Sequence, residues 1–168
     1  MKLIRIIVLR VGFAYSILQN RQKVETSEII KNKRLLGIDF GLVRVGVAVT
    51  DELHISVAPK ETLLFQKSDF WEKLIKIIES ERIGGIVIGV PYEENEEHDM
   101  RSSIEEFISD LSSRTDIPIF YQDESFSSIQ AVNIMLKIGK KKKKRTQAGI
   151  KDRVAAAIIL QNFLKYVE

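Results

Sequence analysis

The sequence predicts one α/β domain, a mixed five-stranded sheet with helices on both faces. Three observations lead there. Leu35–Asp51, LLGIDFGLVRVGVAVTD, holds two apolar runs joined by a glycine-bearing turn, the pattern of a β-hairpin. Ile86–Val90, IVIGV, is short and almost wholly apolar, which suits a parallel strand covered on both faces. Behind the hairpin, strand-like runs alternate with segments whose apolar residues recur every three or four positions. The 168 residues suffice for one real core and are too few for two large lobes.

The elements follow in order. Residues 1–33 are expected to be an extension, poorly fixed or packed as an extra helix, ahead of a domain over 34–168. Its apolar run, Leu3 to Val11, is broken by Arg5 and Arg10 and is too short to span a bilayer. Leu35, Leu36 and Ile38 form the first strand. Val43, Val45, Val47 and Val49 alternate with smaller or polar residues, a period of two that marks the second. His54–Ala58 is expected to be a third short strand, stopped by Pro59. Ser68–Arg82 reads as a helix with Ser68 or Asp69 as its cap, an apolar stripe of Phe70, Leu74, Ile77 and Ile78, and an end before Gly84 and Gly85. After Ile86–Val90, residues 93–99 form an acidic loop, and a helix with Ile104, Phe107, Ile108 and Leu111 runs through Arg114. Ile117–Tyr121 is the last strand and runs into Asp123 and Glu124. A helix from Ile129 to Leu136 closes near Gly139, and Lys151–Val167 is the final helix.

Composition narrows the chemistry. There is no cysteine, so disulfides and zinc–thiolate sites are excluded. With only His54 and His98, a histidine-rich metal site is excluded too, and any metal sits on carboxylates, which favours magnesium or manganese. The formal net charge is +3, yet the tract Lys140–Arg145 alone carries +6. The rest of the chain is therefore net acidic, and the separation points to a local anionic partner.

Several acids stand where this architecture gathers side chains. Asp39 ends the first strand beside Gly41, where the absence of a side chain leaves room for a ligand. Asp123 and Glu124 end the last strand. Asp152 opens the final helix and shares a face with Ala155, Ala156, Ile159 and Phe163, whose small alanines let the helix approach the sheet closely. Each acid also has an ordinary reading: a turn acid bonded to its own backbone for Asp39, a solvated strand end for Asp123 and Glu124, a helix N-cap for Asp152. Gathered carboxylates repel by roughly 4 kcal/mol per pair at about 4 Å in an effective dielectric near 20. A divalent cation removes that conflict. Arg44, at the start of the second strand, is placed to reach a phosphate.

GIDFGLVRVGVAVTD, IVIGVP, DESFSS and KDRVAAAIIL, in this order and spacing, resemble the motifs of the YqgF/RuvX family, over about Leu35 to Val167. That resemblance implies an RNase H-like three-layer fold. It also implies a metal-dependent endonuclease, acting in maturation of the 5′ end of pre-16S ribosomal RNA, in resolution of branched DNA, or in both. The metal-binding catalytic acids it implies are Asp39, Glu124 and Asp152, holding two Mg2+ or Mn2+ ions. On an extended strand end neighbours point to opposite sides, so only one of Asp123 and Glu124 is expected to reach the metals. Lys140, Lys141, Lys142, Lys143, Lys144 and Arg145 resemble the family's basic segment. With Arg44 and Arg101 they are the expected contacts to nucleic acid, salt-dependent and indifferent to base sequence; a solvated loop is the bland alternative for the tract.

The chain departs from the family at Ser125, where arginine is usual, and in the loop YEENEE after Pro91, where asparagine and glycine are usual. Both bear on substrate affinity more than on the metal site. The implied setting is the cytoplasm, with no membrane partner, and cutting two strands of a junction suggests a homodimer. Two further readings stand beside this one: an RNA-binding ribosome-biogenesis factor with weak catalysis, and a relative of the actin-like phosphate-binding ATPases. The second needs two such lobes, and this chain has length for one.

Overall fold

The computed structural model describes residues 24–90, 98–123 and 146–167. Within them the chain runs α1 (24–30), β1 (Arg34–Asp39), β2 (Arg44–Thr50), β3 (Val57–Leu64), α2 (Phe70–Ser80), β4 (Ile83–Val90), α3 (His98–Arg114), β5 (Ile119–Asp123) and α4 (Thr146–Val167). The five strands make one sheet in the order β3-β2-β1-β4-β5. β1–β2 and β2–β3 pair antiparallel, while β1–β4 and β4–β5 pair parallel. This is a mixed five-stranded sheet with helices on both faces, as the sequence predicts. The helix expected over Ile129–Leu136 lies outside the described residues.

Strand alternation sorts the side chains into two cores. Leu36 and Ile38 of β1, with Phe40 just beyond it, point into one core with Val45, Val47, Val49, Ile86 and Ile88, under α2 and α3. Leu35, Ala48, Val87 and Phe120 point into the other, with Ala156, Ile159, Leu160 and Phe163 of α4. The first core is rich in aromatics: Trp71 stacks on Phe107 at 5.4 Å, Phe40 lies 4.7 Å from Phe107, and Arg114 covers the Trp71 ring at 4.3 Å. Each fully buried large side chain here contributes about 1.5–3 kcal/mol through removal from water.

Several expectations change in the folded chain. β2 begins at Arg44, and its small positions are not a solvent face: Gly46, Ala48 and Thr50 are buried as fully as the valines, because α4 covers them. The third strand is not His54–Ala58 ended by Pro59. It runs Val57–Leu64 straight through the proline, which pairs with Ala48. β3 is a sheet edge, where a missing N–H costs no ladder bond, and the register shifts at that point. His54 instead sits in the β2–β3 turn with φ 58°, its Nε2 2.7 Å from the Lys33 carbonyl oxygen. Asp51 organises that turn by accepting hydrogen bonds from the N–H groups of Leu53, Ile55 and Ser56 and from the Ser56 hydroxyl. The Ser56 hydroxyl above all, with those N–H groups, holds the Asp51 carboxyl below its ordinary range.

Asp69 stands at the N-cap of α2 without capping it; its carboxylate pairs with Lys73 at 2.8 Å. The helix stops at Ser80, and Arg82 takes the left-handed conformation, φ 53°, common past a helix C-terminus. The helix thus ends before Gly84 and Gly85 as expected, but β4 begins at Ile83, so both glycines fall inside the strand ahead of its expected start at Ile86. The last described strand is Ile119–Asp123, two residues later than its apolar run suggests.

Residues 24–30, the end of the expected extension, form α1 with Thr26 and Ile30 buried. Ile30 belongs to the α4-side core, its Cγ2 3.8 Å from where a side chain on Gly85 would begin. Ile30→Ala is expected to cost about 2–5 kcal/mol of folding free energy, the range for truncating a well-packed aliphatic residue. Chemical denaturation measures this, and a cost under about 0.5 kcal/mol would show that α1 adds nothing to the core.

Candidate active site

Asp39 is the last residue of β1, at the carboxyl edge of the parallel strands. Two features of its neighbours fix it there. Phe40 is buried on the opposite face, against Phe107 and Phe65, and pins the chain as it leaves the strand. Asp39 also pairs in register with Gly46 of β2. It has the parity of Leu35 and Gly37, which face α4.

The second acid arrives from the other side of the sequence. A Cβ built on Gly46 would lie 2.1 Å from the carbonyl oxygen of Asp152 and 2.8 Å from the Arg153 nitrogen. The backbone of α4 thus rests directly on Gly46, one strand away from Asp39. Gly37 does the same further along: its Cβ would meet Leu160 Cγ at 2.5 Å and the Ala156 carbonyl oxygen at 2.6 Å. Close approach is thus set by glycines on the strands as much as by alanines on the helix. Thr62 of β3, paired with Gly46, adds an anchor by donating its hydroxyl to the Gly149 carbonyl of α4. Thr62, Gly46 and Asp39 form a row across three strands, and the first two seat the helix segment that carries Asp152.

Asp152 is not the opening residue of its helix. α4 begins at Thr146, so Asp152 lies in the second turn, where its side chain caps nothing. Its partner is Arg44: Nε donates to Oδ2 at 2.8 Å. The Asp152 side chain is 18% exposed and that of Arg44 42%. Arg44, expected to serve a phosphate, is therefore bound in this structure to an expected metal ligand. Sequence spacing gives no hint of this, since the two residues lie 108 positions apart.

The remaining expected residues divide in two. Arg101 is on α3, near its start, and Asp123 is the final residue of β5, paired with Val90. Glu124, Ser125, residues 93–97 of the expected acidic loop and the tract Lys140–Arg145 lie outside the described residues, while His98 and Asp99, expected to end that loop, instead open α3. Among the described residues, no three or more of His, Asp and Glu gather as a metal site. Asp39 and Asp152 nevertheless offer hard oxygen donors on one face of the sheet, which suits a magnesium- or manganese-sized cation and excludes a soft one. Among the described residues, too, no helix is long and apolar enough to cross a membrane.

The chain is similar in sequence to several known proteins. A protein of Orientia tsutsugamushi (strain Ikeda), described as a candidate pre-16S rRNA nuclease, is 38% identical over 137 residues, which is 81% of this chain and 86% of that one. A protein of Phocaeicola vulgatus with the same description is 38% identical over 135 residues, 79% of this chain and 95% of that one. Among solved structures, RuvC of T. thermophilus in complex with a Holliday junction substrate aligns with a TM-score of 0.49 at 10% identity, covering 79% of this chain and 95% of that one. The RuvX family, described as Holliday junction resolvase, matches residues 33–166, and with four-fifths of its length inside that match this chain belongs to the RuvX family.

Proposed function

We propose that this chain is a metal-dependent endonuclease acting in the cytoplasm on structured nucleic acid, with the 5′ end of pre-16S ribosomal RNA as its foremost substrate and branched DNA as the second. The observation that carries this reading is the seating of Asp152 on Gly46, beside Asp39, at the carboxyl edge of the sheet. Family membership and the descriptions of the relatives support it. Asp39, Glu124 and Asp152 are the proposed metal ligands. Glu124 has the sequence parity of Phe120, whose side chain packs in the α4-side core, whereas Asp123 has that of Tyr121, which packs on the other. Asp39, Glu124 and Asp152 would hold divalent ions, which would supply an activated water and stabilise the leaving oxygen of a phosphodiester. Arg44, Arg101 and Lys140–Arg145 are the proposed contacts to the phosphate backbone, and such contacts weaken steeply with salt.

A second reading, an RNA-binding factor with weak catalysis, is favoured by Ser125 and by the acidic residues at 93–97. Titrating manganese against a precursor of 16S ribosomal RNA and against a four-way DNA junction separates the two. The nuclease is expected to cut at least one of them in a metal-dependent way. Tight binding of both with no cleavage at any metal concentration would favour the binding factor. Solution mass in the presence of the junction tests the proposed homodimer.

A further inference from the structure

We propose that Arg44 is an exchangeable counter-ion that couples metal binding to nucleic-acid binding; this rests on the metal-dependent reading above. The chain places Arg44 and Asp39 on the same face, flanking the site at which Asp152 is seated. Arg44 lies two positions from Gly46 in β2, on which the Asp152 backbone rests, and Asp39 is the cross-strand partner of that glycine. Two carboxylates brought together need positive charge nearby. In this structure Asp152 obtains it from the Arg44 guanidinium at 2.8 Å.

A divalent cation on Asp39 and Asp152 changes that balance. The Oδ2 atom held by Arg44 is then wanted by the ion, and the guanidinium faces a second, larger positive charge. Arg44 is the more exposed partner, at 42%, and its long stem lets the head group swing outward without disturbing β2. A phosphate of the bound strand offers it a new partner, and guanidinium matches phosphate geometry as well as it matches carboxylate. The same arginine therefore competes with the metal when nucleic acid is absent and ceases to compete when it is present. By linkage, nucleic acid and metal each raise the other's affinity by one common factor.

The test measures binding, not turnover. Manganese binding is followed by calorimetry in the full chain, alone and with a phosphorothioate-backbone hairpin that resists hydrolysis. In the parent, the hairpin is expected to tighten manganese binding several-fold. Arg44→Gln is expected to bind manganese alone about two- to five-fold more tightly than the parent, the worth of a partly exposed ion pair. In this variant the hairpin is expected to tighten manganese binding clearly less than it does in the parent. Arg44→Lys keeps the charge and is expected to fall between the two. Circular dichroism confirms that the variants fold.

Weaker manganese binding by Arg44→Gln would mean that Arg44 only orients Asp152, and that overturns the exchange. Coupling equal to the parent's in Arg44→Gln overturns it as well. A parent that binds no manganese, alone or with the hairpin, overturns the metal-dependent reading and this inference together, so the two failures are told apart.

Discussion

Asp39→Asn is expected to lower metal-dependent cleavage at least about a hundredfold while leaving the domain folded. The lower bound follows from the tenfold to hundredfold losses usual when a mere supporting partner of a metal ligand is removed. Asparagine keeps the size and one oxygen of aspartate but has no charge, so it is a poor ligand for a hard cation. The fold is expected to persist, because Phe40 and the register with Gly46 hold this position through backbone and packing. The substitution also removes one of two like charges near Gly46. Cleavage of the precursor RNA and the junction, with a thermal melt of the same sample, checks both halves. Parental cleavage rates would remove Asp39 from the site.

Gly46→Ala is expected to have the largest effect on stability and to abolish activity through structure. Its new methyl group would stand 2.1 Å from the Asp152 carbonyl oxygen, well inside any tolerable carbon–oxygen contact. The obstacle is helix backbone, which cannot rotate away as a side chain does. Either α4 shifts outward, opening the core of Ala156, Leu160 and Phe163, or β2 bends. Overpacking of this kind costs about 1–3 kcal/mol and more where backbone is involved. Any outward shift also separates Asp152 from Asp39. Gly149→Ala is the matching control. There the methyl meets Thr62 no closer than 3.6 Å, an ordinary van der Waals contact. Denaturation should show Gly46→Ala costing about 2 kcal/mol more than Gly149→Ala. Equal costs would mean that α4 does not rest on Gly46.

Much of the fold is legible in the sequence because it follows from local periodicity. The apolar stripes of α2 and α3, the two-sided burial of Ile86–Val90 and the hairpin turn at Gly41 each depend on neighbours in the chain. Errors fell where a local signal has two meanings. Proline ends a central strand but not an edge strand, and only the sheet order makes β3 an edge. An aspartate seven residues into a helix looks like a cap when the helix start is misread, as it is at Thr146.

By itself the sequence determined the class of fold and singled out the candidate acids Asp39 and Asp152, and with no cysteine and only His54 and His98 it points any metal site to carboxylates. These follow from residue type and short-range spacing. The partner of Arg44 was decided only in the tertiary structure, because an ion pair across 108 positions depends on how α4 crosses β2. The same holds for the role of Gly46. A glycine in a strand reads as weak strand propensity, and its value as a seat for Asp152 exists only once the helix lies upon it.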